Sequence, residues 1–322
     1  DATKAEPARQ IERLFRASGV ECRQSAVDLS TYYDRARSTG ERMRDFVPAA
    51  HALGRDAMAL CLAGAQGMDA DTITDFVVAT CTGYSAPGLD VLIARDLGMA
   101  PDVRRTVVGH MGCFGALVGL RQCLAAVRAY PNALAALLTV ELTTLHFTPT
   151  QDSEVLTSFA LFGDAAAGLV LTGDPAADGP EVVDIYCAAD FGTANQMSWD
   201  ITDAGFVMGL SPRVPVTLRR NVAGVVERLL GRNGLAFGDV THWIVHPGGP
   251  SILDAIQPRL KLSDAQMAPS WEVLREHGNC SSATVLLILE RLLRSGRARP
   301  GEWCVMMAFG PGLTLETCLL RM

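Results

Sequence analysis

The chain has 322 residues, of which 49% are apolar and 20% charged, a balance that gives a globular protein with a large core and excludes a disordered one. Its net charge of −7 argues against a nucleic-acid partner, which would need a basic face, but leaves room for a phosphate-bearing small molecule held by local cations. The longest apolar runs, such as 133–140, fall far short of the roughly 20 residues that span a bilayer, and no signal peptide opens the chain. Nine cysteines, with no CxxC pair and no zinc-type Cys/His spacing, indicate a reduced, cytoplasmic protein without a metal site.

In chain order, residues 7–20 read as a helix carrying Arg9, Arg13 and Arg16, and 21–48 as a polar, poorly periodic segment. Residues 49–66 are apolar at helical spacing. Asp75 to Thr80 reads as a buried strand, followed by the turn Ala86-Pro87-Gly88 and a helix from Leu89 to about Leu97. The same order returns later: strand Val240 to Val245, turn His246-Pro247-Gly248, helix Ile252 to about Leu260. Beyond the first turn, Cys113 opens a helix over 114–130; beyond the second, Asn279 opens one over 281–293. Strand-like runs, 134–141 and 303–309, follow the two helices. The two halves, 1–175 and 176–322, meet near the Gly/Pro/Asp-rich stretch 173–180. Alternating strands and helices imply an α/β fold with mostly parallel, doubly covered sheets.

Three residues stand out for chemistry. Cys113 lies in Gly112-Cys113-Phe114-Gly115, at a predicted helix N-terminus, where free N–H groups and the helix dipole favour a thiolate. His246 ends a buried strand just before Pro247-Gly248-Gly249-Pro250, at the carboxyl end where open parallel sheets place their sites. Asn279, in Gly278-Asn279-Cys280-Ser281-Ser282, is either a helix N-cap or a donor to a developing oxyanion.

Taken together and in order, these segments resemble the type III polyketide synthases, the chalcone-synthase-like branch of the thiolase-fold condensing enzymes. The resemblance rests on Thr80-Cys81-Thr82-Gly83 with Ala86-Pro87-Gly88, on Gly112-Cys113, and on Val140-Glu141-Leu142-Thr143. It continues through Ala160-Leu161-Phe162-Gly163-Asp164, His246-Pro247-Gly248-Gly249-Pro250, Gly278-Asn279-Cys280-Ser281-Ser282 and Gly310-Pro311-Gly312. It implies duplicated βαβαβ halves in a layered αβαβα core, a homodimer, and a Cys113–His246–Asn279 triad. It further implies Phe162 as a gatekeeper, Cys81, Thr82, Thr143 and Ser281 as pocket residues, and Arg13 and Arg16 as contacts for coenzyme A phosphates. Three positions depart from the plant pattern: Met208 stands where those enzymes have a second gatekeeper phenylalanine, Trp199 where glycine is common, and His146 where a small pocket threonine is usual. The family's first strand is also absent before residue 1, which implies a trimmed N-terminus. The apolar stretch 133–145 reads as too sticky to stay solvated, in line with a dimer.

The expected reaction is acylation of Cys113 by a starter acyl-CoA, decarboxylation of malonyl-CoA to an enolate, and repeated condensation before closure to a pyrone or phenolic ring. No cofactor beyond these substrates is implied. A ketoacyl synthase, a thiolase or a 3-hydroxy-3-methylglutaryl synthase shares this chemistry, and a cysteine hydrolase acting on thioesters is the alternative of a different class.

Overall fold

The computed structural model describes residues 2–65, 67–148, 150 and 152–322, and in the first helix the side chains of 9 and 11–17. The first half runs α1 (Ala2–Ala17), α2 (Leu29–Tyr32), α3 (Thr39–Gly64), β1 (Asp75–Thr80), α4 (Leu89–Leu97), β2 (Arg104–Gly109), α5 (Gly115–Ala129), β3 (Leu134–Leu142), α6 (Ser153–Leu161) and β4 (Asp164–Thr172). The second runs β5 (Glu181–Ala189), β6 (Met197–Thr202), β7 (Gly205–Leu210), α7 (Val214–Arg232), β8 (Val240–Val245), α8 (Pro250–Leu260), α9 (Asp264–His277), α10 (Thr284–Arg294), β9 (Trp303–Gly310) and β10 (Thr314–Arg321). Two four-stranded sheets form, in the orders β2-β1-β3-β4 and β5-β10-β9-β8, and β6-β7 is a separate hairpin.

Side-chain alternation along the strands shows how the layers stack. In β1, Val77 and Ala79 enter one core cluster and Phe76 and Val78 another; in β9, Cys304, Met306 and Ala308 part in the same way from Val305, Met307 and Phe309. The shared middle cluster holds α5 and α10 between the two sheets. Helices α3 and α4 cover the outer face of the first sheet, and α7 and α8 that of the second. The result is the layered αβαβα arrangement, with strand, helix and returning strand repeated in both halves.

The sheets are less parallel than the sequence led us to expect. Ladders β1–β2, β1–β3 and β8–β9 are parallel, whereas β3–β4, β9–β10 and β5–β10 are antiparallel. The turn between β9 and β10 is too short for a crossover, so the final strand must fold back on its neighbour. Helix α3 also begins earlier than its periodicity indicated, inside the segment read as polar. A capping box starts it, with Ser38 Oγ accepting from Glu41 N and Glu41 Oε2 from Ser38 N. Pro48 within it had masked the pattern. The stretch 133–145 is buried inside the protomer as β3 and the turn after it, so its apolar character needs no partner subunit.

Candidate active site

Cys113 sits on a single 3-10 turn, Gly112–Phe114, just ahead of α5. Gly112 has φ 75°, and a Cβ there would lie 2.5 Å from Pro311 Cδ. The C-terminal Gly310-Pro311-Gly312 turn thus packs directly on the Cys113 turn, which accounts for both motifs. His246 follows β8, its N–H donating to Met307 O at 2.9 Å. The ring is buried, and neither nitrogen has a hydrogen-bond partner among the described residues.

Asn279 follows Gly278, whose φ of 71° and close approach to Leu161 O exclude any larger residue. Asn279 N donates to Leu161 O at 2.8 Å and Gly163 N to Asn279 O at 3.1 Å, so Phe162 is pinned beside the asparagine. The side chain does not cap α10, whose N-cap is Ala283. Asn279 Oδ1 instead accepts from Ser281 N at 2.9 Å, and its Oδ1 and Nδ2 lie 3.8 and 3.9 Å from Cys113 Sγ. Ser281 adopts φ 48°, a strained backbone of the kind found at active sites.

Cys113, His246 and Asn279 meet at a cavity of about 710 Å³. Its walls come from α1 (Leu14, Ala17), α6 (Thr157, Leu161) and the start of α7 and α8 (Val214, Ile252). A second space of about 30 Å³ lies on the other side of Cys113, bounded by Cys81, Thr82, Thr143, Trp199 and Ser281. Phe162, Met197 and Met208 line both spaces and form the wall between them.

Burial opposes a lone charge on either reactive group: it pushes the Cys113 thiol up to about 12, against the lowering hydrogen bonds of Asn279 and Ser281, and His246 down to about 3. The helix-terminus effect expected from the sequence is therefore outweighed for an isolated thiolate. A proton passed from Cys113 to His246 would leave the pair neutral overall, and the attraction between the two charges would offset part of that penalty.

The chalcone and stilbene synthase N-terminal domain family matches residues 26–175, and the corresponding C-terminal domain family matches 188–322. The chain belongs to the chalcone and stilbene synthase family. It is a type III polyketide synthase, a condensing acyltransferase. It is 34% identical, over 97% of its length and 83% of the relative's, to a 1,3,6,8-tetrahydroxynaphthalene synthase of Streptomyces peucetius subsp. caesius. It is 33% identical to the α-pyrone synthesis polyketide synthase-like Pks18 of Mycobacterium tuberculosis, over 96% of this chain and 81% of that one. Among solved structures, PKS-I of the brown alga Ectocarpus siliculosus superposes with a TM-score of 0.92 at 29% identity, covering 98% of this chain and 89% of that one. Tetrahydroxynaphthalene synthase of Streptomyces coelicolor A3(2) gives 0.91 at 27% identity, with coverages of 97% and 89%.

Of the residues singled out in the sequence of this synthase, Cys113, His246, Asn279, Phe162 and Met208 converge on the larger cavity, and Cys81, Thr82, Thr143, Trp199 and Ser281 on the smaller. His146 lines neither. It stacks on Phe206 with ring centroids 4.3 Å apart, Nε2 bonds to Thr82 O at 2.7 Å, and Nδ1 accepts from Phe206 N at 3.1 Å. Burial holds it down at about 4, so it is a neutral packing residue that backs Trp199. Arg13 and Arg16 do not line the cavity either, although their neighbours Leu14, Ala17 and Ser18 do. Arg16 is exposed and paired with Glu12 at 2.8 Å. Met197 was missed, yet it lies two residues before Trp199 on the same strand, and that spacing puts both on one face.

Proposed function

We propose that Cys113 carries the growing acyl chain, that His246 takes and returns its proton, and that Asn279 donates to the thioester oxygen of malonyl-CoA as it becomes an enolate. The observation that carries this reading is the meeting of the three side chains at the floor of one 710 Å³ cavity. Cys113 Sγ attacks the starter thioester, its proton moves to His246, and coenzyme A leaves with that proton. Malonyl-CoA then enters with its thioester oxygen toward Asn279 Nδ2 and His246. Loss of CO₂ places negative charge on that oxygen, where fixed donors stabilise it best. The apolar wall of Phe162 disfavours the departing carboxylate. The enolate carbon attacks the Cys113 thioester, the thiolate is released, and the chain returns to it two carbons longer. The phosphates of coenzyme A are assigned to the outer face of α1, near Arg13 and Arg16.

Product size follows from the two volumes. The inner space, at about 30 Å³, has room for only a few waters, so a chain on Cys113 has little room to grow inward. Trp199 closes that side, its Nε1 donating to Cys81 O at 2.8 Å, and Met208 faces it across the hairpin. Aliphatic starters, few extensions, and tri- or tetraketide pyrones or small resorcinol-type rings fit this shape, since an unbranched chain can lie along Met197 and Met208 within the larger cavity. The test is a panel of acyl-CoAs with malonyl-CoA, reading products by mass. Hexanoyl-CoA or longer starters should outcompete coumaroyl-CoA, and Trp199→Gly should raise the main product by at least one two-carbon unit. Preference for the aromatic starter, or an unchanged product from Trp199→Gly, would sink the size assignment.

The enzyme is further assigned as a cytoplasmic homodimer. All nine cysteines are free, and no helix among the described residues is long and apolar enough to cross a membrane. Strand β2 is a sheet edge whose Arg104 to Val107 are exposed, followed by the exposed Met111, and such an edge invites pairing with a second copy. Light scattering at micromolar concentration should give roughly twice 34.4 kDa. A monomer mass there overturns the dimer.

A further inference from the structure

Glu141, on β3, is a fully buried carboxylate for which the reaction above has no use. Three uncharged donors meet it. Oε2 accepts from Cys81 N at 2.9 Å and from Thr82 Oγ1 at 3.0 Å, and Oε1 accepts from Ser282 Oγ. Thr82 Oγ1 itself accepts from Leu142 N at 2.9 Å, which leaves its proton for Glu141. Burial pushes the Glu141 pKa up overall, against these bonds, each of which favours the ionised carboxylate.

The donors belong to the two loops that build the site. Cys81 Sγ accepts from Gly112 N at 2.9 Å, immediately before Cys113. Ser282 closes the turn that begins at Asn279. We propose that Glu141 is a positioning residue that sets the separation of Cys113 and Asn279, gripping the Cys81–Thr82 turn behind Gly112 with one oxygen and Ser282 behind Asn279 with the other. The two loops come from different halves of the chain, and Glu141 is the side chain that bonds to both. Its charge also faces Cys81, Cys113, Cys280 and Tyr84, and it opposes a second negative charge on each. The inference rests on the roles given to Cys113 and Asn279.

The two arms are separable in the full-length protein. Ser282→Ala cuts only the Asn279 arm. The turnover number for malonyl-CoA decarboxylation should fall on the order of 10-fold or more, the cost of a misplaced group, while iodoacetamide alkylation of Cys113 stays within about twofold of wild type. Glu141→Gln keeps the shape and the acceptor for Cys81 and Thr82 but removes the charge. Its Cys113 alkylation profile should move to lower pH by about one unit, with the thermal midpoint retained. A purely structural carboxylate would lower the thermal midpoint of both variants and leave the alkylation profile of the folded protein where it was. Equal losses in decarboxylation and alkylation for Ser282→Ala, or no loss in either, overturn the proposal even where Glu141→Gln fails to fold. If the wild-type protein releases no CO₂ from malonyl-CoA, the condensing reading fails, whereas the Glu141→Gln alkylation profile still decides the Cys81 arm.

Discussion

Asn279→Ala should slow malonyl-CoA decarboxylation on the order of 10²–10³-fold, the loss seen when one oxyanion donor is removed. Acylation of Cys113 by the starter should fall much less, because that step can proceed with His246 alone accepting the proton. The geometry also provides a control. Asn279 has two separate tasks: Oδ1 ties down Ser281 N at 2.9 Å, and Nδ2 faces Cys113 Sγ. Alanine removes both, at a stability cost of about 1 kcal/mol for the lost hydrogen bond. Asn279→Asp keeps an oxygen for Ser281 but replaces the donor with a carboxylate beside Cys113. If the amide donates to the enolate, Asp should be at least as slow as Ala in decarboxylation, and Asp should hold the turn better. Decarboxylation that survives in Asp but not in Ala would reduce Asn279 to a turn-closing residue.

The residues that meet at the cavity were legible in the sequence because local backbone needs beside them leave a mark. Gly112 and Gly278 must be glycine, as positive φ and a neighbour within about 2.5 Å leave no room for a Cβ, and each stands next to a reactive side chain. Pro311 is legible for the same reason, being the atom group that Gly112 makes way for. The two repeated halves were legible through the recurring strand–turn–helix order, and the layered core through the family resemblance. Two kinds of feature were not. The inner cavity depends on how Trp199, Phe206 and His146 stack across three separate segments, and His146 looked like a pocket residue because only its position in the chain could be read. The opposing pull of burial on the Cys113 thiol was not legible, because a helix start is visible in a sequence and the depth of burial is not. The dimer argument failed in its original form for a related reason: an apolar run such as 133–145 reads the same whether its own protomer or a second copy covers it.

His246→Ala should slow alkylation of Cys113 by iodoacetamide at pH 8 on the order of 10²-fold or more, an effect that acts before any substrate binds. Burial, with the Glu141 charge, pushes the thiol up to about 12 even against the hydrogen bonds of Asn279 and Ser281, so with no proton acceptor beside it the thiolate fraction at pH 8 is on the order of 10⁻⁴. The alkylation rate of the variant should therefore keep climbing through pH 10. In the wild-type protein His246 can take the proton without adding net charge to the buried site. Its alkylation should then be well under way near neutral pH and nearly flat above it. Cys22, which is exposed and lies outside the cavity, supplies an internal standard, since its labelling should not differ between the two proteins. The same logic fixes the sign at low pH. A lone buried imidazole resists protonation down to about 3, so any acid-side loss of alkylation between pH 5 and 7 must come from the cysteine–histidine pair acting together. Should His246→Ala alkylate Cys113 as fast as wild type at pH 8, the thiolate would owe nothing to the imidazole. His246 would then be left with the malonyl thioester alone.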